Sequence, residues 1–355
     1  MNLAGKINVL VAEGVLSTRQ MLVRLLESDP AIRVAGAVAD GQAAIDFIAR
    51  HKIDVLLMDV NMPLADGVEA TRRIMETRPL PIVVCSATSR VHDTAIAFRA
   101  LEAGAIACIE KPLSRDDADY EARAGHLLET VKLMSEVKVV RRTGRPAFGA
   151  TRGARALSAA TAPTPPRLIG IGASTGGPPV LQTILAALPP DFPAPVLVVQ
   201  HIAPGFLAPL VTWLGDTTGM TVRIASYGVL PLPGHVYLAP DDHHMGLSRE
   251  GRIILSREAS EHHVRPAVSF LFRALAQSCG ADAVGVLLTG MGRDGAAELK
   301  LMRDAGAATI AQDAKSSVVH GMPGAAIALG GASQVLPANR IAAALTSLVT
   351  PPPAR

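Results

Sequence analysis

The first part of the chain alternates short apolar runs with segments whose apolar residues recur at helical spacing. The apolar runs predict strands at residues 7–12, 32–38, 53–58, 82–85 and 105–109. Between the first two runs, one helical face is formed by Met21, Leu22, Leu25 and Leu26. Strands and helices that alternate in this way form a doubly wound parallel sheet, so residues 1–125 are predicted to be one α/β domain.

The pattern changes after residue 125. A helical stretch continues to about residue 140, and the chain then becomes rich in Gly, Ala, Pro, Thr and Arg, with no acidic residue between Glu136 and Asp191. Such a composition buries little apolar surface, so residues 126–166 are predicted to be a helix followed by a flexible basic linker. A solvated tether is the favoured interpretation, and arginine contacts with nucleic acid, an acidic partner or another domain are the alternatives.

Strand–helix alternation returns in residues 167–350, which predicts a second doubly wound α/β domain with a mostly parallel sheet. One predicted strand begins at residue 168 and runs into a glycine turn, and two more lie at 196–200 and 283–288. Predicted helices lie at 206–214 and 266–278. Between these lie short strands at residues 221–224, 235–239, 245–247 and 252–255. Gly, Pro and paired polar residues separate the short strands, which predicts hairpins.

The amino-acid composition of the chain argues against several classes of function. A chain of 355 residues is long enough for two domains, and 49% hydrophobic residues can fill two cores. Aromatic residues make up only 3% and the net charge is only +3, so neither base stacking nor DNA binding is indicated and no nucleic-acid partner is expected. Three scattered cysteines without metal-ligand spacing fit a reducing cytoplasm, and no apolar run is long enough to insert into a membrane.

The glycine-rich turn after the strand that begins at residue 168 carries the strongest chemical signal. Gly172, Ser174 and Gly176 match the spacing of a nucleophile elbow, in which a serine faces backbone N–H groups. Those N–H groups can stabilise an oxyanion or bind a phosphate. A dinucleotide-binding loop would need one residue fewer before its third glycine, and the next strand ends at His201, a general base rather than a ribose ligand. The pattern favours the nucleophile over the phosphate loop.

Three residues of the second domain together suggest a hydrolase. Ser174, His201 and Asp294 each follow a predicted strand, and the carboxyl ends of parallel strands share one edge of the sheet. A serine needs a base to take its proton, and the base needs an orienting carboxylate. Singly, each residue could be a helix cap, a surface histidine or a turn. A rival metal site would use other histidines, namely His235, His243, His244, His262, His263 and His320.

Polar residues also follow the strands of the first domain. Glu13, Asp59, Ser86 and Lys111 come after its first, third, fourth and fifth strands. Acids, a hydroxyl and a lysine at one sheet edge suit Mg²⁺-assisted phosphoryl transfer to a carboxylate. The alternative is a structural ion pair between Asp59 and Lys111.

Together these residues resemble the receiver domain of bacterial response regulators, which has a flavodoxin-like fold. The resemblance implies that Asp59 is the phosphoacceptor, Lys111 contacts the phosphoryl group and Ser86 is the switch hydroxyl, with Mg²⁺ as the cofactor. Receivers usually carry two consecutive acids after the first strand, whereas this chain has Glu13 followed by Gly14. Because Mg²⁺ tolerates little departure from octahedral geometry, we expect Mg²⁺ binding and phosphorylation of Asp59 to be weakened or lost.

The second domain resembles the chemotaxis protein-glutamate methylesterases (CheB) at residues 169–178, 200–206 and 288–295. The resemblance implies that Ser174 attacks a glutamate methyl ester, His201 moves the proton and Asp294 orients the imidazole. The backbone N–H groups of Thr175 and Met291 would be the oxyanion donors. The same site would deamidate some glutamines, and catalysis would need no cofactor.

The implied partners are the cytoplasmic part of a methyl-accepting chemoreceptor and a chemotaxis histidine kinase, and the protein is expected to be a cytoplasmic monomer. Ser269 and His320 replace residues that are usually Asp and Tyr in the family, which affects the mouth of the site. The alternative is a response regulator whose output domain binds a nucleotide or a protein and has no esterase activity.

Overall fold

The computed structural model describes residues 5–62, 67–86, 91–112, 120–137, 139 and 168–350. Within these ranges the first domain has strands β1 (Ile7–Ala12), β2 (Ile32–Val38), β3 (Val55–Asp59), β4 (Ile82–Ser86) and β5 (Ala107–Glu110). Its helices are α1 (Leu16–Glu27), α2 (Gly41–Arg50), α3 (Gly67–Thr77), α4 (Val91–Ala103) and α5 (Tyr120–Ser135). The basic segment predicted after residue 140 lies outside the described residues.

The first sheet has the predicted doubly wound topology. Its strand order is β2-β1-β3-β4-β5, and every neighbouring pair is parallel. Strand β5 begins later than the apolar pattern predicts, because Gly104 and Ala105 still belong to the turn that closes α4. The N–H of Ala105 donates to the carbonyl of Ala100, and the backbone of Gly104 has a φ of 120°.

The second domain is built on a longer sheet. Its strands are β6 (Leu168–Ala173), β7 (Val196–Gln200), β8 (Thr221–Ile224), β9 (His235–Leu238), β10 (His244–Leu247), β11 (Ile253–Ser256), β12 (Ala283–Leu287), β13 (Ala308–Gln312) and β14 (Gln334–Leu336). Its helices are α6 (Gly177–Leu185), α7 (Leu207–Thr218), α8 (Val268–Ser278), α9 (Ala296–Asp304), α10 (Met322–Ala328) and α11 (Ala338–Val349). The order β14-β13-β12-β6-β7-β9-β8 is parallel throughout, and it places β12, β6 and β7 side by side.

The hairpin prediction is right for one pair of short strands and wrong for another. Strands β10 and β11 form an antiparallel pair, as predicted. Strands β8 and β9 pair in parallel instead. The loop between them makes this possible because it pairs with β11: the N–H of Gly228 donates to the carbonyl of Ile253, and the N–H of Ile253 donates to the carbonyl of Val229.

The two domains contact each other through α4 and α7. The Trp213 ring stacks on Phe98 with centroids 5.4 Å apart, and its indole N–H donates to Oε1 of Glu102 at 2.7 Å. A cavity of about 190 Å³ lies nearby between the domains, with Leu101 on the first and Gly176 on the second among its lining residues. The first domain therefore packs beside the glycine turn that follows β6.

No helix in the described ranges is both long and apolar enough to span a membrane.

Replacing Phe98 by leucine should change the fluorescence of the protein, because the chain has one tryptophan and Phe98 stacks on it. Loss of the stack should let water reach the indole and move its emission to longer wavelength. Phe47→Leu is the matched control, because Phe47 stacks on His51 within the first domain. An emission maximum that is the same in Phe98→Leu and wild type would contradict this contact.

Candidate active site

Ser174 stands where the central strand β6 ends. The strand is buried along its whole length, and α6 begins three residues after the serine. The N–H of Ser174 donates to the carbonyl of Thr289 at 3.0 Å, and the serine carbonyl accepts from the N–H of Gly177 at 2.8 Å. Gly176 has a φ of 75°, and a Cβ there would lie 2.5 Å from Val318, so only glycine fits this turn.

The loop that follows β12 packs closely against Ser174. A Cβ on Gly290 would lie 2.7 Å from Cβ of Ser174 and 2.3 Å from Sδ of Met322, so the two backbones meet only because this residue is glycine. The carbonyl of Gly290 accepts from the N–H of Met322, and its N–H donates to the carbonyl of Val319. These bonds fix the loop that continues into Met291.

His201 and Asp294 meet at the same edge. His201 follows β7, and its backbone N–H donates to the carbonyl of Ala173 at 2.9 Å. Nε2 of the imidazole lies 2.9 Å from Oδ2 of Asp294, although the ring is not turned into a well-aligned hydrogen bond. Since Nε2 faces the carboxylate, Nδ1 is the nitrogen that can accept a proton from a serine.

The structure brings the three predicted residues to adjacent strand ends, but it does not join all of them. In the part of the chain described here, no hydrogen bond links Oγ of Ser174 to the imidazole of His201. Among the same residues, no backbone acceptor pairs with the N–H of Thr175 or of Met291. Both predicted oxyanion donors are therefore free to bind a developing negative charge.

A buried glutamine ties the serine to the histidine. Nε2 of Gln200 donates to the carbonyl of Ser174 at 2.9 Å and to the carbonyl of His201 at 2.8 Å. The sequence analysis placed Gln200 at the end of a strand and in a segment of family resemblance, but gave it no role in the site. Its side chain is 5% exposed at the end of an otherwise apolar strand, and that placement is the signal that could have identified it.

Asp294 is held by the first residues of α8. Its Oδ2 accepts from the N–H of Val268 at 2.7 Å, and its Oδ1 accepts from the N–H of Ser269 at 2.9 Å. Burial favours the neutral carboxyl, but the contact with His201 and the bonds from Ser269 outweigh it and hold the pKa of Asp294 below its ordinary value. The carboxylate is therefore ionised beside the imidazole.

Ser269 connects this helix end to the next one, a role that sequence reasoning missed. Its hydroxyl accepts from the N–H of Gly295 at 2.9 Å and donates to Oε2 of Glu298 at 2.7 Å. Gly295 directly follows Asp294 and precedes α9. The serine side chain thereby fixes the backbone on which the carboxylate stands.

The remaining histidines do not form a metal site. Within the described ranges, no group of three or more His, Cys, Asp or Glu side chains could hold a metal ion. His244 is fully buried, faces the carbonyl of Ala259 at 3.1 Å and accepts from the N–H of Ala267 at 3.2 Å. Two arginines of this region have acidic partners, since Arg265 contacts Asp242 and Arg273 contacts Glu261.

The polar residues of the first domain also meet at one sheet edge. Nζ of Lys111 lies 2.7 Å from Oε2 of Glu13 and 2.9 Å from Oδ1 of Asp59. Burial opposes the charge of Lys111, but the two carboxylates outweigh it and hold its pKa above the ordinary value. The hydroxyl of Ser86 is buried without a hydrogen-bond partner among the described residues, so it is available to another oxygen.

These residues do not fit Mg²⁺ in the way that two consecutive acids would. Gly14 contributes no side-chain oxygen, and both carboxylates contact the Lys111 ammonium. Mg²⁺ requires several oxygen ligands in near-octahedral geometry. The expectation of weakened Mg²⁺ binding therefore has a geometric basis.

Comparisons with known proteins cover both domains. The family model of the response regulator receiver domain matches residues 9–120, and the CheB methylesterase model matches residues 169–345. The catalytic domain of the CheB methylesterase of Thermotoga maritima has a TM-score of 0.50 and 41% identity, and the match covers 52% of this chain and 99% of that one.

Two relatives match this chain across both of its domains. A protein of Nitrosospira multiformis is 50% identical over 349 residues, with 97% of each chain covered. A protein of Geobacter metallireducens is 48% identical over 343 residues, covering 96% of this chain and 99% of that one. Both relatives are named protein-glutamate methylesterase/protein-glutamine glutaminase. The chain belongs to the CheB family of protein-glutamate methylesterases, with a response regulator receiver domain at its N-terminus.

Proposed function

We propose that this chain hydrolyses glutamate methyl esters on chemoreceptors, with Ser174 as nucleophile, His201 as general base and acid, and Asp294 as the residue that orients the imidazole. The observation that carries the proposal is the 2.9 Å distance between Nε2 of His201 and Oδ2 of Asp294, at the strand end next to Ser174. This pairing leaves one imidazole nitrogen for the serine proton.

In the first half of the reaction, Oγ of Ser174 attacks the side-chain carbonyl carbon of the ester while His201 takes the hydroxyl proton. The carbonyl oxygen becomes an oxyanion that the N–H groups of Thr175 and Met291 stabilise. Asp294 stabilises the imidazolium that forms. The bond to the methoxy group then breaks, and the imidazolium gives its proton to the leaving oxygen, so methanol departs and an acyl-serine remains.

In the second half, His201 takes a proton from water, and the hydroxide attacks the acyl carbon. The bond to Oγ of Ser174 breaks, the proton returns to the serine, and a glutamate side chain is released. A glutamine side chain can follow the same course with ammonia as the leaving group, which gives the glutaminase activity. Each step uses only side chains, backbone N–H groups and water, so the catalytic half of the protein needs no cofactor.

The receiver domain is the proposed regulator. It packs against the catalytic domain through Phe98 and Trp213, and its edge reaches the cavity that Gly176 lines, two residues after the proposed nucleophile. We assign Asp59 as the phosphoacceptor position of this receiver, with Lys111 and Ser86 beside it. The proposed partners are a chemotaxis histidine kinase and the cytoplasmic helices of a chemoreceptor. We also propose that the protein acts in the cytoplasm and is a monomer.

Replacing Ser174 by alanine should abolish methanol release from membranes that carry methylated chemoreceptor, because no other nucleophile is proposed. Methanol is measured directly over time. Ser347→Ala is the matched control, since Ser347 is exposed on α11 and bonds only within that helix. Methanol release by Ser174→Ala at the wild-type rate would rule out the proposed nucleophile.

Asp294→Asn should lower kcat by roughly 10²–10⁴-fold, the usual contribution of general acid–base catalysis. An amide is neutral, so it cannot stabilise the imidazolium.

Because the pKa of Asp294 is depressed in the folded protein, its contribution to stability is present at neutral pH and is lost as the pH falls through the folded-state pKa. The stability difference between wild type and Asp294→Asn, measured by chemical denaturation, should therefore shrink on acidification. A constant difference would contradict the ionised state.

Ser269→Ala should lower kcat by about tenfold with little change in KM. The substitution leaves the N–H of Gly295 and the carboxylate of Glu298 without this partner, a loss of about 1–3 kcal/mol in a buried place. Ser278→Ala removes a hydroxyl from the other end of α8, where it bonds only to Ala274 and Cys279, and should leave kcat unchanged. An equal effect of both substitutions would show that Ser269 acts on general stability rather than on Asp294.

A further inference from the structure

In the receiver pocket, buried carboxylates pair with a buried ammonium group of the same chain. The two carboxylates, Glu13 and Asp59, are 1% and 6% exposed, and the ammonium of Lys111 lies within 2.9 Å of both. The guanidinium of Arg19 bonds the main chain of the same loop, because Nη1 donates to the carbonyl of Glu13 and to the carbonyl of Gly14 at 3.5 Å. The two buried carboxylates therefore share the buried ammonium of Lys111, and a guanidinium bonds the carbonyls next to them.

Three carboxylate oxygens of this pocket already have partners within the chain. Oε1 of Glu13 accepts from the N–H of Val15 at 2.9 Å, and Oε2 faces Lys111. Oδ1 of Asp59 faces Lys111 as well and accepts from the N–H of Asn61 at 3.2 Å. A divalent cation would have to separate a buried lysine from both carboxylates, and a buried charge that loses its partners is costly.

The backbone side of the pocket is equally unfavourable to a cation. Gly14 occupies the position where a second acid would supply a further oxygen, and the adjacent carbonyls face the guanidinium of Arg19. A guanidinium bonded to these carbonyls repels a divalent cation that approaches the same oxygens. Substitution of Gly14 is feasible, because its φ lies outside the left-handed region that favours glycine.

We propose that Lys111 takes the place of the divalent cation in this receiver, so that the pocket of the unmodified protein is closed to Mg²⁺. Because Gly14 supplies no carboxylate, the two acids that remain pair with the lysine rather than with a metal ion. The proposal concerns metal binding by the first domain, so it stands or falls independently of the esterase activity.

The test is a titration of the full chain with Mn²⁺, in which electron paramagnetic resonance measures the free ion and Mg²⁺ is the competitor. Wild type and Gly14→Ala should show no saturable binding. Gly14→Asp adds a third carboxylate and should bind one Mn²⁺ saturably. Adding Asp59→Asn to Gly14→Asp should abolish this binding, and Mg²⁺ should displace the ion.

Two outcomes would overturn the proposal. Saturable binding by wild type that is as tight as binding by Gly14→Asp would show that the pocket is open. No binding by any of the proteins, when thermal melting shows that Gly14→Asp is folded, would show that the missing carboxylate is not the reason. Gly14→Ala controls for the added Cβ, because it introduces no oxygen.

Discussion

A carboxylate buried at Asp294 needs compensation, and the catalytic edge of the second sheet is arranged around that need. Two backbone N–H groups at the start of α8 and the imidazole of His201 supply it. A separate pair of hydrogen bonds fixes the histidine relative to Ser174, because Gln200 joins the carbonyls of both residues. The two sets of contacts meet at His201, which faces the buried charge and lies beside the serine.

Glycine makes this arrangement possible at two points. At Gly290 the loop after β12 approaches Ser174 more closely than any side chain would allow, and at Gly176 the chain turns into α6 with a positive φ. In the part of the chain that the structure describes, the N–H groups of Thr175 in this turn and of Met291 in this loop pair with no backbone acceptor, as the proposed oxyanion donors require. A glycine-rich motif here reflects close backbone approach rather than a phosphate-binding loop.

The first domain also has buried carboxylates that need a compensating partner, but the partner there is of a different chemical kind. Its carboxylates, Glu13 and Asp59, are also buried, but a lysine compensates both of them directly. In the catalytic domain the compensating partner is an imidazole that can give and take a proton, whereas Lys111 stays charged because the carboxylates raise its pKa. The first pocket is thus suited to holding a fixed electrostatic state, and the second to moving protons.

Features that depend on the local pattern of apolar and polar residues could be predicted from the sequence alone. Strand ends could be located from apolar runs, and Ser174, His201 and Asp294 follow from them because parallel strands share an edge. Contacts between distant side chains could not be read in the same way. Ser269 and Gln200 act through backbone groups of other elements, and the parallel pairing of β8 with β9 depends on a loop that bonds to β11.

The covalent intermediate tests the central claim most directly. A synthetic chemoreceptor peptide with a glutamate methyl ester is mixed with the full chain, quenched in acid and analysed by mass spectrometry. The account predicts an acyl adduct on the fragment that contains Ser174, formed together with methanol and absent from Ser174→Ala. Methanol release without an adduct, and with equal rates for wild type and Ser174→Ala, would contradict it.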